Sequence, residues 1–257
     1  MREHAREEVN LVYEGETLDD LVRDGLKVIQ AGDGYRFSMD AVLLSHFSEA
    51  QKNEVVLDLG CGSGVMAILI ASRQPDSSIT GLEIQESLAD RARRSLQLNR
   101  LTDRVNIITG NLRSYKTIFQ GKKFSLIVTN PPFWRSGEGK TPIEQENLVA
   151  RHEVEATLND FIEAAVGLLS HRGRLALIQR ADRSDEIIRI CQEHRLAVNR
   201  IRFVHPKLDK PANLVLVEAV KGGRGYLKIL PPLIVYGENG QYTPELLEIY
   251  FGKEELV

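Results

Sequence analysis

Short apolar runs alternate with amphipathic stretches along most of the chain, and this alternation predicts its elements. The runs 55–59, 79–83, 105–109, 125–129, 175–178, 197–204 and 214–220 have the length of strands and are rich in Val, Ile and Leu. Between them, 65–73, 86–99, 158–170 and 184–194 repeat apolar residues at helical spacing. In the third of these, Leu158, Phe161, Ile162, Ala165, Val166 and Leu169 share one face. Alternation of this kind predicts an α/β fold: a mostly parallel seven-stranded sheet with helices on both faces. Only the loop 205–213 separates the last two runs, which predicts an antiparallel hairpin at the sheet edge.

The ends are less regular. Residues 1–10 are charged and expected to fray. Residues 17–22 read as a short helix or turn, and 26–30 as a short strand. Ser38 is placed to cap a helix running to about Ala50. Near the other end, strands are expected over 226–230 and 233–236, interrupted by Pro231-Pro232. Thr243 then caps a last helix, with Pro244 at its first position. With no internal repeat and no low-complexity linker, 1–257 reads as one domain. Within it, 1–50 is a flank or lid, 51–221 the core, and 222–257 a C-terminal extension.

Hydrophobic content of 42% and charged content of 27% are ordinary for a soluble globular chain. No apolar run is long enough to span a bilayer, and the charged N-terminus lacks the apolar core of a signal peptide. Two cysteines, Cys61 and Cys191, make neither a disulfide framework nor a zinc site, so no metal and a reduced, cytoplasmic setting are expected. The net charge of −3 is unevenly spread: +7 over 171–228, −6 over 1–170 and −4 over 229–257. That asymmetry permits a basic face tracking phosphates.

Chemistry concentrates at three strand ends. Asp58-Leu59-Gly60-Cys61-Gly62-Ser63-Gly64 follows a strand and opens a helix. Its glycines let a ligand approach the backbone. No basic residue stands in the turn to meet a pyrophosphate, and Asp58 offers a carboxylate to a cationic ammonium. Glu83 ends the second run, where a carboxylate can accept from both hydroxyls of a ribose. That feature suits NAD and S-adenosylmethionine alike. Asn111 follows the third run and offers an uncharged acceptor to an adenine amino group, or simply forms a turn. Asn130-Pro131-Pro132-Phe133 closes the fourth. The Asn130 side-chain oxygen and the Pro131 carbonyl can accept from the two hydrogens of a conjugated amino group and draw its nitrogen toward tetrahedral geometry. The prolines fix φ, and Phe133 offers a stacking face. The proton can leave after transfer, so no general base is needed.

In this order the glycine turn, Glu83 and Asn-Pro-Pro-Phe resemble the class I, Rossmann-like S-adenosylmethionine-dependent methyltransferases of the amino-group type, over about residues 35–220. Phe37-Ser38-Met39-Asp40-Ala41-Val42-Leu43-Leu44, His205-Pro206-Lys207 and Lys221-Gly222-Gly223 resemble, within that class, the bacterial enzymes that modify adenine 37 of valine tRNA. The resemblance implies N6-methyladenine formation, a tRNA partner, and Asn130, Pro131, Pro132 and Phe133 as the catalytic turn. It implies a cofactor site of Phe37, Asp40, Asp58, Gly60, Gly62, Gly64, Glu83, Ile84, Asn111, Leu112 and Asn130. Trp134, Arg135, His152, Lys207, Lys210 and Arg224 are the expected substrate contacts, with Arg200, Arg202 and Lys221 on a phosphate-binding rim. Guanine-N2 methylation, protein-glutamine methylation and an RNA-binding protein without turnover use the same features and stay open at this point, as does the oligomeric state.

Overall fold

The structure, a computed structural model, describes residues 11–21, 25–32, 39–133, 156–224 and 226–252. Its organising element is a nine-stranded sheet. The first five core strands are β3 (Val55–Leu59), β4 (Ser78–Glu83), β5 (Val105–Thr109), β6 (Phe124–Thr129) and β7 (Leu169–Arg180). They lie parallel in the order β5-β4-β3-β6-β7. β9 (Leu214–Lys221) then inserts antiparallel between β7 and β8 (Leu196–His205). The hairpin expected at the sheet edge is present. However, two short strands, β10 (Lys228–Ile229) and β11 (Leu233–Ile234), pair parallel to β8 and cover its outer side.

Helices cover both faces because successive strand residues point to opposite sides. Val56, Leu126 and Val128 join one core with α1 (Met39–Phe47), α2 (Val65–Arg73), α3 (Glu86–Leu98) and α7 (Pro244–Phe251). Leu57, Leu59 and Ile127 join the other, against α4 (Tyr115–Phe119), α5 (Leu158–Leu168) and α6 (Ser184–Glu193). Expected and observed helices agree closely for α2, α3, α5 and α6. β7 is longer than its apolar stretch, beginning at Leu169, directly after α5.

The expected helix or turn over 17–22 is instead strand β1 (Glu16–Asp20), paired antiparallel with β2 (Lys27–Ala31). The reason is tertiary. The hairpin lies along α3, where Ser95 Oγ and Asn99 Oδ1 each accept from a β2 amide, of Ile29 and Lys27, at 2.9 Å. Glu16 pairs with Arg94 at 2.6 Å and Arg91 at 3.1 Å. Pairing and packing thus override the local preference of 17–22.

Candidate active site at the strand ends

The parallel strands all end on one side of the sheet, and the turns that follow them build the site there. After β3 the amides of Gly60 and Cys61 both donate to the Leu82 carbonyl of β4, at 2.8 and 3.0 Å, which folds the turn across the end of β4. Gly60 sits at φ +79° with the Phe161 ring 3.1 Å from where a Cβ would stand, so any side chain there is both strained and crowded. Gly64, at φ +84°, enters α2, and a Cβ would meet Ala92 of α3 at 3.1 Å. Its role is to let α2 pack on α3.

The Glu83 carboxylate is held by two amides, Gly62 on one oxygen and Gln85 on the other, both at 2.9 Å. It bridges the glycine turn and the start of α3 in a fixed orientation. Gly110 donates to the Glu83 carbonyl at 2.8 Å and brings the β5 turn alongside. There Asn111 Oδ1 accepts from the Arg113 amide at 2.9 Å, capping a short 3₁₀ turn. At the end of β6, Thr129 Oγ1 donates to the Leu59 carbonyl at 2.7 Å and ties the two central strand ends together.

Asn130 follows. Among the described residues, its Oδ1 is out of solvent and without a hydrogen-bond partner. Two cavities meet at Asn130, Gly60, Gln85 and Leu88. The larger, about 530 Å³, is walled by Leu82, Ile84, Leu112 and Phe161, with Glu83 and Asn111 among the apolar groups and Pro131 to Phe133 at its mouth. The second, about 400 Å³, runs over Gly62 and Ser63 toward Ala31 of β2 and Arg91 of α3. These volumes fall in the range of roughly 300–1,000 Å³ usual for small-molecule sites. Apolar walls around an oriented carboxylate fit a nucleoside, and the joined second cavity leaves room for a flexible tail.

Several expected residues stand elsewhere. Asp58 is fully buried beneath the turn and lines neither cavity; its Oδ2 accepts from the Ala67 amide at 3.2 Å, while Oδ1 has no partner. Burial pushes its carboxyl up to about 8. Asp40 is buried in the first turn of α1, and its neighbour Ala41 lines the second cavity. Phe37, Trp134, Arg135 and His152 lie outside the described residues. Lys207 and Lys210 are exposed in the β8–β9 loop, at the same end of the sheet as the cavities. Arg224 follows β9, whose last residues pair with the beginnings of β7 and β8, so it sits at the opposite end.

Part of the expected basic rim, and other arginines near it, are held by other groups. Arg174 and Arg200 share Glu218 at 3.0 Å each, and Arg202 pairs with Glu245 at 2.5 Å. Arg183 and Arg189 pair within α6 and its approach. The Lys221 ammonium donates to the carbonyls of Val166 and Leu169. Sequence reasoning missed Phe161, Gln85, Leu88 and Ala156 as cavity walls. Phe161 looked like ordinary core, and it is core as well.

Among the described residues, no helix is long and apolar enough to cross a membrane, and no group of three or more metal-ligating side chains occurs. A dinucleotide-binding sheet would continue parallel where β9 turns back here. That inserted strand, beside the oriented carboxylate and the asparagine-proline turn, sets the class: the S-adenosylmethionine-dependent methyltransferases of class I. The chain belongs to the methyltransferase small domain family, whose model matches residues 38–202. A Porphyromonas gingivalis protein named tRNA1(Val) (adenine(37)-N6)-methyltransferase is 29% identical over 228 residues, covering 86% of this chain and 89% of that one. A Trichodesmium erythraeum protein of the same name is 30% identical over 216 residues, 82% and 87% of the two chains. Among solved structures, an Agrobacterium tumefaciens protein described as a predicted O-methyltransferase superposes with a TM-score of 0.67 at 25% identity, over 82% of this chain and 95% of that one.

Proposed function

We propose that this chain methylates the exocyclic N6 of an adenine in tRNA, that of position 37 in valine tRNA, with S-adenosylmethionine as donor. The observation that carries the reading is Asn130 Oδ1, a buried acceptor without a partner among the described residues, at the junction of the two cavities. An amino hydrogen of the target base satisfies it. The bound cofactor supplies an electrophilic methyl group. Leu82, Ile84, Leu112 and Phe161 hold the adenosine half of the cofactor, Glu83 its ribose, and Gly60 to Ser63 its amino-acid end. The Pro131 carbonyl takes the second amino hydrogen, and Phe133 stacks on the base. Asn130 and Pro131 would hold the amino nitrogen with its lone pair directed at that methyl group, and solvent would take the released proton.

Transfer to a hydroxyl would call for a base. Among the described residues lining the cavities, the titratable ones are Glu83, Arg91 and Cys61. Glu83 is held by two amides, Arg91 by Glu16, and burial pushes the Cys61 thiol well up. Each of these described groups is thus engaged or buried, which favours nitrogen over oxygen as the acceptor. The names of the relatives, and the exposed Lys207 and Lys210 at the same end of the sheet, support RNA. An anticodon-loop adenine is already unpaired, which lowers the cost of presenting it.

The test is methyl transfer from labelled S-adenosylmethionine to unmodified bulk bacterial tRNA, followed by nucleoside digestion and mass spectrometry. Label in N6-methyladenosine is expected. Label in N2-methylguanosine would move the activity to guanine, and no label in RNA would exclude tRNA as the substrate.

A further inference from the structure

Two buried side chains grip the Asn-Pro-Pro-Phe turn from behind. Pro131 and Pro132 have no N–H, so this turn cannot be closed by its own central amides and must be held through its carbonyls. β7 and the turn after it supply the donors. Gln179, fully buried near the end of β7, donates from Nε2 to the Pro132 carbonyl at 3.2 Å. Its Oε1 accepts from the Arg180 amide at 2.9 Å, which sets which end of the side-chain amide faces the turn. Arg183, 5% exposed, directs Nε and Nη2 to the two oxygens of Glu186 at 2.9 and 2.8 Å. Its remaining Nη1 donates to the Phe133 carbonyl at 3.3 Å. Neither side chain lines either cavity.

The acceptors of the turn are thereby divided. The carbonyls of Pro132 and Phe133 are occupied from β7's side. Among the described residues, nothing donates to the Pro131 carbonyl or to Asn130 Oδ1. We propose that Gln179 and Arg183 are positioning residues for methyl transfer: they hold the turn in the one arrangement that leaves those two acceptors for the target amino group. The proposal rests on the adenine-N6 reading of the site. It assigns the rate of transfer, and not cofactor affinity, to two residues that touch neither ligand.

The test uses the full chain with Gln179→Met, Gln179→Glu and Arg183→Lys, read by single-turnover transfer to unmodified tRNA and by calorimetric cofactor affinity. Gln179→Met keeps the volume and removes the donor; transfer should slow by about 10- to 100-fold with affinity unchanged. In Gln179→Glu the ionised carboxylate has no hydrogen to donate. Its rate relative to wild type should recover as pH falls and the carboxyl gains an O–H for the Pro132 carbonyl. Arg183→Lys, which keeps the charge but not the fork, should slow transfer with affinity again unchanged. Wild-type rates in Gln179→Met, or a loss of affinity in step with rate, would overturn the proposal. A wild-type chain that leaves tRNA adenine unlabelled would defeat the adenine reading instead. Hydrogen exchange at the Phe133 amide then decides. It should quicken in Gln179→Met if the donors hold the turn, and an unchanged rate would overturn their role.

Discussion

A buried acceptor without a partner costs about 1–3 kcal/mol, which Asn130 Oδ1 bears until a donor arrives. Asn130→Ala is therefore expected to cut transfer by at least about 10²- to 10³-fold. Cofactor affinity by calorimetry should stay near wild type, and a matching loss of affinity would contradict the assigned role. Asp58 behaves differently. Its carboxyl ionises at an ordinary 3.8 in the unfolded chain and at about 8 in the folded one. Between those values the folded state binds more protons, so stability falls as pH rises from about 4 to 8 and levels off above that. Asp58→Asn removes this dependence. Its melting temperature relative to wild type should climb from pH 4 to pH 8 and then stay constant; a difference independent of pH would show that Asp58 is charged throughout. At this scale Gly60, Glu83 and Asn130 were legible because each ends a strand, where sheet topology dictates what must gather. Phe161, Gln179 and Arg183 were not, since their part in the site depends on which strands lie side by side.

Among the elements, the β1–β2 hairpin owes its place to α3, and Glu16 is the main bond between them. Arg94 and Arg91 hold its carboxyl down to about 2 from an ordinary 4.5. A depressed carboxyl stabilises the fold fully above its unfolded value and loses that contribution as pH falls through the folded one. Glu16→Gln should cost on the order of 2 kcal/mol at pH 7. The gap from wild type should close between pH 4.5 and pH 2, as followed by thermal melts. A cost that persists in acid would mean packing rather than charge. The core strands and four helices could be read from periodicity because each buries an entire face. β1 was misread as a short helix or turn because its strand character comes from its pairing with β2. The outer strands β10 and β11 were expected as runs, but their partner, β8, could not be known until the sheet order was.

Over the whole molecule, the basic excess of 171–228 permitted one phosphate-binding face, but Arg174, Arg200 and Arg202 are held in ion pairs. The charge count could be read from the sequence; the pairing could not, because Glu49, Glu54 and Glu245 come from distant stretches. Lys207 and Lys210, the latter 3.6 Å from Asp209, lie at the cavities' end of the sheet, and Arg224 lies at the far end. Replacing both lysines by alanine should weaken tRNA binding and lower the salt slope of log affinity by about 2, about 1 per phosphate contact. Arg224→Ala should change neither, as titrations at several ionic strengths would show; an equal effect would mean that the RNA wraps round to the opposite end. The inserted strand β9 has a last consequence, in time. Every strand that pairs with β8 follows it in the chain, and β7 keeps an open side until 214–221 is made. On a ribosome adding about 5–20 residues each second, the nascent sheet waits seconds with its most apolar edge bare. That interval, before the finished chain exists, is when a holding chaperone would matter most to it.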